Sequence, residues 1–102
     1  MELNHVLTEA AWHAAQQAGE YAPPELRRDG FLHCCTPGQR DFVLRRHFAG
    51  VPGLLILSFD ARDVPGIVRW VKTEPDQDPF PHLYGPIPCG VVRRVLPVEP
   101  TK

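Results

Sequence analysis

The amino-acid sequence predicts a single α+β domain of about five strands and two helices, and three observations carry that expectation. At 102 residues with 43% apolar side chains, the chain can bury one hydrophobic core and has no room for a second domain. Two stretches carry helix-start signals, while the apolar runs outside them are short, as strands are. Of twelve prolines, seven fall between Pro75 and Pro100, where each fixes φ and removes a backbone donor, so the last quarter is loop and strand with no long helix.

The first strand is expected over Asn4 to Leu7. Thr8-Glu9 then offers an N-cap with an acid in the first turn, ahead of an alanine-rich stretch closed by Gly19, so a helix is predicted from Thr8 to Ala18. Glu20 to Gly30 contains Pro23-Pro24 and mixed charges and reads as a surface loop leading into a strand at Phe31 to Cys34. Thr36-Pro37-Gly38-Gln39 is the most specific local signal: threonine at the cap, proline at the first helical position and glutamine placed to close a capping box. A second helix follows from Pro37 to Phe48, with Gly50 ending it. Leu54 to Phe59 is a buried strand, Asp60 to Asp63 a turn, Ile67 to Val71 a strand bounded by Pro65-Gly66, and Gly90 to Leu96 the last strand. The chain shows no internal repeat and no low-complexity tract.

Eleven basic residues against twelve acidic ones give a formal charge of -1, so no strong field draws the chain to nucleic acid or an anionic membrane. Met1 to His5 has no positive leader region, and the apolar run Leu54 to Leu57 stops at Ser58, which predicts a cytoplasmic protein away from the membrane. Cys34, Cys35 and Cys89 are odd in number and two are adjacent, a poor disulfide framework that suits a reducing compartment. Oligomeric state is not legible in the sequence.

Candidate chemistry gathers at the histidines. His13 and His47 fall on predicted helices, where a solvated or packed side chain is the ordinary explanation. His33 follows Phe31-Leu32 and ends a strand just before the capped helix at Thr36, whose unpaired N–H groups favour an anion. The competing reading makes it a buried strand histidine bonded to a carbonyl. His82 lies in Phe80-Pro81-His82-Leu83-Tyr84-Gly85-Pro86, where rings alternate with rigid backbone, as in a preorganised binding loop. Alternatively Phe80 and Tyr84 close one end of the core. His5 and Trp70, on two other strands, are candidates to face the same cleft. Cys35, just before the cap, is a candidate for a thiol of lowered pKa. No CxxC or HxxxH spacing joins His33, Cys34, Cys35, His82 and Cys89, so no metal is expected. Glycine-rich phosphate loops, paired-carboxylate motifs and Ser-His-Asp patterns are also missing.

Asn4-His5-Val6, Trp12, Ala18 to Tyr21, Gly30-Phe31-Leu32-His33-Cys34, Gln39, Leu54 to Asp60, Val68-Arg69-Trp70 and Phe80 to Pro86 together resemble, in order, one family, domain of unknown function 952. Its members are small bacterial proteins carrying GF-[IL]-HC and FPH-x-YGP signatures, and the resemblance spans about His5 to Val92. Their fold resembles the ADP-ribosyltransferase class, in which a small split sheet grips NAD. The resemblance implies a ribose-contacting role for His5 and a second site element at His33 and its following helix. Two positions depart from the family: Cys35 stands where serine is common, and Val71 where an acid usually follows the tryptophan, with Glu74 the nearest carboxylate. A relative of that class, the RNA 2′-phosphotransferase group, uses histidine and arginines, and an HVH-like strand there looks similar to Phe31-Leu32-His33.

The sequence therefore carries two functional expectations. One is a cleft binding NAD or an ADP-ribose-like nucleotide, with His33 and His82 as catalytic candidates and His5, Cys35, Thr36, Trp70, Phe80 and Tyr84 around the ligand, in a relative of ADP-ribosyl- or phosphoryl-transferases. The other is a non-enzymatic interaction module that docks through Phe80 to Pro86 and uses its histidines structurally.

Overall fold

The computed structural model describes residues 1–99. In chain order its elements are β1 (Glu2–Thr8), α1 (Glu9–Ala18), β2 (Glu20–Tyr21), α2 (Pro24–Asp29), β3 (Leu32–His33), α3 (Arg40–His47), β4 (Leu54–Asp60), β5 (Ile67–Val71), β6 (Phe80–Tyr84), β7 (Ile87–Pro88) and β8 (Arg94–Pro97). Short 3₁₀ turns cover Ala61–Asp63 and Cys89–Val91.

Two three-stranded antiparallel sheets, in the orders β1-β4-β8 and β3-β6-β5, are accompanied by the small pair β2-β7. β1 and β4 pair along their whole length, from Glu2 opposite Asp60 to Thr8 opposite Leu54. The two larger sheets meet at one point. Asn4 and Cys35 exchange backbone hydrogen bonds of 2.7 and 2.9 Å, and beyond that pair the strands diverge, so the sheet is split between β1 and β3. No helix among the described residues is long and apolar enough to cross a membrane.

Side chains alternate across a strand, so β1 and β4 present two apolar faces. Leu3, Leu7, Leu57 and Phe59 join Leu32, Leu83 and Ile87 in the main core, against which Ala11, Trp12 and buried Ala15 of α1 pack. Val6, Leu54 and Ile56 point the other way and are covered by Leu44 and Phe48 at α3. A strand buried on both faces holds β1 in register, because a one-residue slip would exchange its two apolar sets.

The ends of α1 form as the sequence predicts. The Thr8 hydroxyl accepts from the Ala11 N–H at 3.1 Å, and Gly19 at φ 87° closes the helix in the left-handed region. The described residues form eight strands and three helices rather than about five and two, the short strands β2 and β7 being unforeseen, and four further elements differ from expectation. α2 occupies the predicted surface loop: Pro24 supplies the first helical φ, Glu25 the acid of the first turn and Gly30 the left-handed cap, start and stop signals masked by the mixed charges around them. The Thr36–Gln39 box closes reciprocally, with bonds of 3.2 and 3.0 Å, yet α3 starts at Arg40 rather than Pro37. Bonds from Gln39 N–H to the Thr36 carbonyl and from Arg40 N–H to the Pro37 carbonyl tighten this first turn in the i→i+3 manner. The last strand spans Arg94–Pro97 instead of Gly90 to Leu96, because Cys89–Val91 coils into a 3₁₀ turn.

The fourth difference matters most. Phe80 to Tyr84 is the central strand β6, not a loop, although it contains Pro81. The Pro81 carbonyl accepts from the Cys34 N–H at 3.0 Å, and since both backbone groups of a strand residue point to one side, its missing N–H also lies toward β3. The lost bond thus falls where β3 leaves β6 to reach β1 at Cys35.

Candidate functional site

The fork between the two sheets opens into a cleft of about 510 Å³. His5, Val6 and Asn4 of β1, His33 with Cys34 and Cys35, Glu25 of α2, Phe42, Val43 and Arg46 of α3, and Phe80 and His82 of β6 line it, with Thr73, Glu74 and Gln77 at its rim. Arg46 and Glu74 form an ion pair of 3.0 Å between α3 and the β5–β6 connection, and Gln39 donates from Nε2 to the Pro79 carbonyl at 2.9 Å.

His5 braces the fork where backbone pairing stops. Its Nδ1 lies 2.7 Å from the His33 carbonyl, which can only accept, so Nδ1 carries the proton and the neutral ring is left with Nε2 as acceptor for the Tyr21 hydroxyl at 3.1 Å. Burial lowers the pKa of His5, opposed by the His33 carbonyl and by Glu25. Burial likewise pushes the Tyr21 hydroxyl up, so it remains a donor. Both ring nitrogens of His5 are thus engaged within the fold.

His33 and His82 stand directly opposite one another on β3 and β6, which puts both side chains on one face, with ring centroids 5.4 Å apart. Glu25 approaches both sides of the fork: Oε2 lies 3.3 Å from Nδ1 of His33 and Oε1 3.9 Å from Nε2 of His5. The bond to Glu25 raises the pKa of His33, and the same bond lowers that of Glu25. His82 is lowered, first by burial and then by the neighbouring His33. Phe31 lies flat on His82, at 4.0 Å and 6° between ring planes, and also contacts His33 and Tyr84. Glu25, Asp29 and His33 bring one ligand atom each within 4.8 Å of one another. Both Asp29 oxygens, however, are taken by Arg28 at 2.9 and 3.0 Å, which makes this cluster a surface salt bridge.

Residues 6–95 match the model of a family described as a protein of unknown function, DUF952. The chain belongs to that family. Two crystal structures of protein CC0527 from Caulobacter crescentus, one of them a double mutant, superpose on this DUF952 domain with TM-scores of 0.83 at 26% identity, covering 97% of this chain and 87% of the other. The solution structure of the same protein gives 0.77 at 26% identity over 96% and 84%. Among curated proteins nothing matches.

Of the residues singled out in sequence, the DUF952 domain brings His5, His33, His82, Cys35 and Phe80 to one cleft. Thr36, Trp70 and Tyr84 do not line it. Thr36 spends its hydroxyl on the Gln39 N–H. Trp70 is 44% exposed on β5, an edge strand, and Tyr84 is 40% exposed beside Phe31, with the Arg69 guanidinium 5.7 Å above its ring. Cys35 corrects the expectation of an activated thiol: it is 2% exposed, and burial pushes its pKa up to about 11 although Arg40 opposes this. The site residue missed in sequence is Glu25, whose signal was present in Pro23-Pro24-Glu25 as the start of a helix.

Proposed function

We propose that the cleft binds NAD or an ADP-ribose-like nucleotide. The observation that carries this reading is the convergence of His5, His33 and His82, from three strands, on one cleft at the fork of a split sheet. Its volume lies within the range of small-molecule sites, and its wall combines Phe42, Val43 and Phe80 with a few converging polar groups, the usual make-up of such sites. The split-sheet class that this family resembles grips NAD in a comparable fork.

The alternative, an interaction module docking through Phe80 to Pro86, loses support because Pro81, His82 and Leu83 are buried in a central strand and offer little surface to a partner. The test is calorimetric titration with NAD, ADP-ribose and nucleoside monophosphates, repeated on His33→Ala and His82→Ala. Saturable binding by the wild type that weakens in both variants is expected, and no binding at millimolar ligand refutes the proposal.

A further inference from the structure

We propose that His33 and His82 form a general acid–base pair, with Glu25 positioning His33, and that their substrate class is a ribonucleoside phosphodiester whose leaving group is a ribose oxygen. This inference rests on the nucleotide-binding reading and assigns that cleft its reaction.

The geometry comes first. Opposite positions on β3 and β6 fix the two rings 5.4 Å apart on one face. Glu25 holds Nδ1 of His33 at 3.3 Å, which leaves Nε2 for a ligand, and the side chain is 60% exposed. His82 is the reverse case. It is only 5% exposed, and among the described residues neither ring nitrogen has a hydrogen-bond partner. No fully buried side-chain nitrogen or oxygen of the described residues lacks a partner, so the ring nitrogens of His82 keep some exposure, and His82 lines the cleft. Stacked Phe31 fixes its ring plane.

Two imidazoles in opposed environments divide the work of a proton-transfer pair. His33 faces Glu25, Asp29 and Arg28 from α2, His5 from β1 and His82 from β6, and Glu25 dominates, favouring the imidazolium. His82 faces His33 from β3 and stands opposite Arg69 of β5, and burial beside a cation favours its neutral form. His33 is therefore the acid and His82 the base.

Leaving-group chemistry selects the substrate. Nicotinamide departs from a ribosyl carbon as a neutral base and needs no proton, so an acid is wasted on it. A ribose oxygen leaving phosphorus departs as an alkoxide and needs one. In the step proposed, His82 takes a proton from water as the water oxygen bonds to phosphorus. The bond from phosphorus to the ribose oxygen breaks with its electron pair on that oxygen, which takes the proton of His33. One water is consumed, a phosphomonoester and a free ribose hydroxyl form, and the two imidazoles return to their starting states by proton exchange with solvent. Rings in edge contact at 5.4 Å leave no room between them, so the phosphorus sits on the cleft side of the pair, with its entering oxygen toward His82 and its leaving oxygen toward His33.

The probe is adenosine 2′,3′-cyclic monophosphate, followed by phosphorus NMR, with binding measured separately by calorimetry. Ring opening with a bell-shaped pH profile is expected, its acid limb set by His82 and its alkaline limb by His33. His33→Gln and His82→Gln should each lose about 100-fold or more in kcat. Glu25→Gln should move the alkaline limb to lower pH, which a purely structural role would not do, and Glu25→Asp should restore part of that shift. Ligand-free proton NMR titration of the two imidazoles adds a readout independent of turnover and of how well His82→Gln folds: His33 should titrate above His82, and titration together or in reverse order overturns the pair. Binding without ring opening overturns the acid–base assignment and leaves nucleotide binding standing. No binding of this probe, NAD or ADP-ribose overturns both, and activity persisting in the His33→Gln/His82→Gln double variant overturns the assignment.

Discussion

Tyr21→Phe removes a single oxygen and tests the brace at the fork. Tyr21 is 6% exposed and His5 3%, and the Tyr21 hydroxyl is the donor at 3.1 Å to Nε2 of His5. The ring cannot answer the loss by changing tautomer, because a bare Nδ1 would then face the His33 carbonyl at 2.7 Å, acceptor against acceptor. Phenylalanine keeps the tilted ring contact with His5, whose centroids are 5.0 Å apart, so packing is little changed. What remains is a buried acceptor without a donor, which costs about 1–3 kcal/mol. For a domain of this size each kcal/mol moves the thermal midpoint by roughly 4–8 °C, so a fall of at least about 4 °C is expected. Thermal unfolding by circular dichroism gives the shift, and urea unfolding should show a lower midpoint with an unchanged slope. Nitrogen NMR of the wild-type ring should show the proton on Nδ1. An unchanged midpoint, or a proton found on Nε2, refutes the reasoning.

Gly66→Ala should cost about 1–3 kcal/mol by overpacking, since a Cβ there would stand 2.5 Å from the Tyr84 carbonyl oxygen and 3.0 Å from Cα of Gly85; a urea midpoint equal to the wild type's would contradict it. Cys35 should resist iodoacetamide in the folded protein near neutral pH and react once urea unfolds the chain; rapid native labelling, located by peptide mass spectrometry, would contradict its burial. The pKa of His33 is raised above its ordinary 6.5, so its stabilisation is fully present below that value and is lost as pH rises through the folded-state value. The stability gap between wild type and His33→Gln should therefore be larger at about pH 5.5 than at about pH 9, and an equal gap at both would exclude the Glu25 contact.

What could be read in the sequence was what neighbouring residues decide together. Thr8 and Gly19 bound α1, Thr36 and Gln39 close their box, and Leu54 to Phe59 is a strand, because each depends on a cap, a turn or a local run of apolar side chains. β6 was not legible. Pro81 within it argues for a loop, and only its neighbours on both sides, with Pro81 turned toward the point where β3 departs, make a central strand there acceptable. The family followed from the motifs around His33 and His82, but not the pairing that sets these residues opposite each other, which is a matter of register. Trp70 was expected to face the cleft from its strand, and on the edge strand β5 it stands outside the cleft lining. Glu25 stayed hidden because charges around a Pro-Pro pair read as a solvated loop, and its importance lies in residues 5 and 33, remote in sequence.

The register of β1 also dictates when the domain can come together. Its partners, Leu54 to Asp60, are separated from it by α1, α2, β3 and α3, and β4 in turn pairs with Arg94 to Pro97. A nascent chain grown as far as His47 holds its first strand, both capping motifs and His33, yet offers that strand only the single backbone pair of Asn4 with Cys35 and not its full-length partner. Loop-closure entropy has to be met before such distant pairings contribute, which slows folding. His33 gains its opposite ring later still, when residue 82 emerges, so the domain settles from its later strands back onto its first.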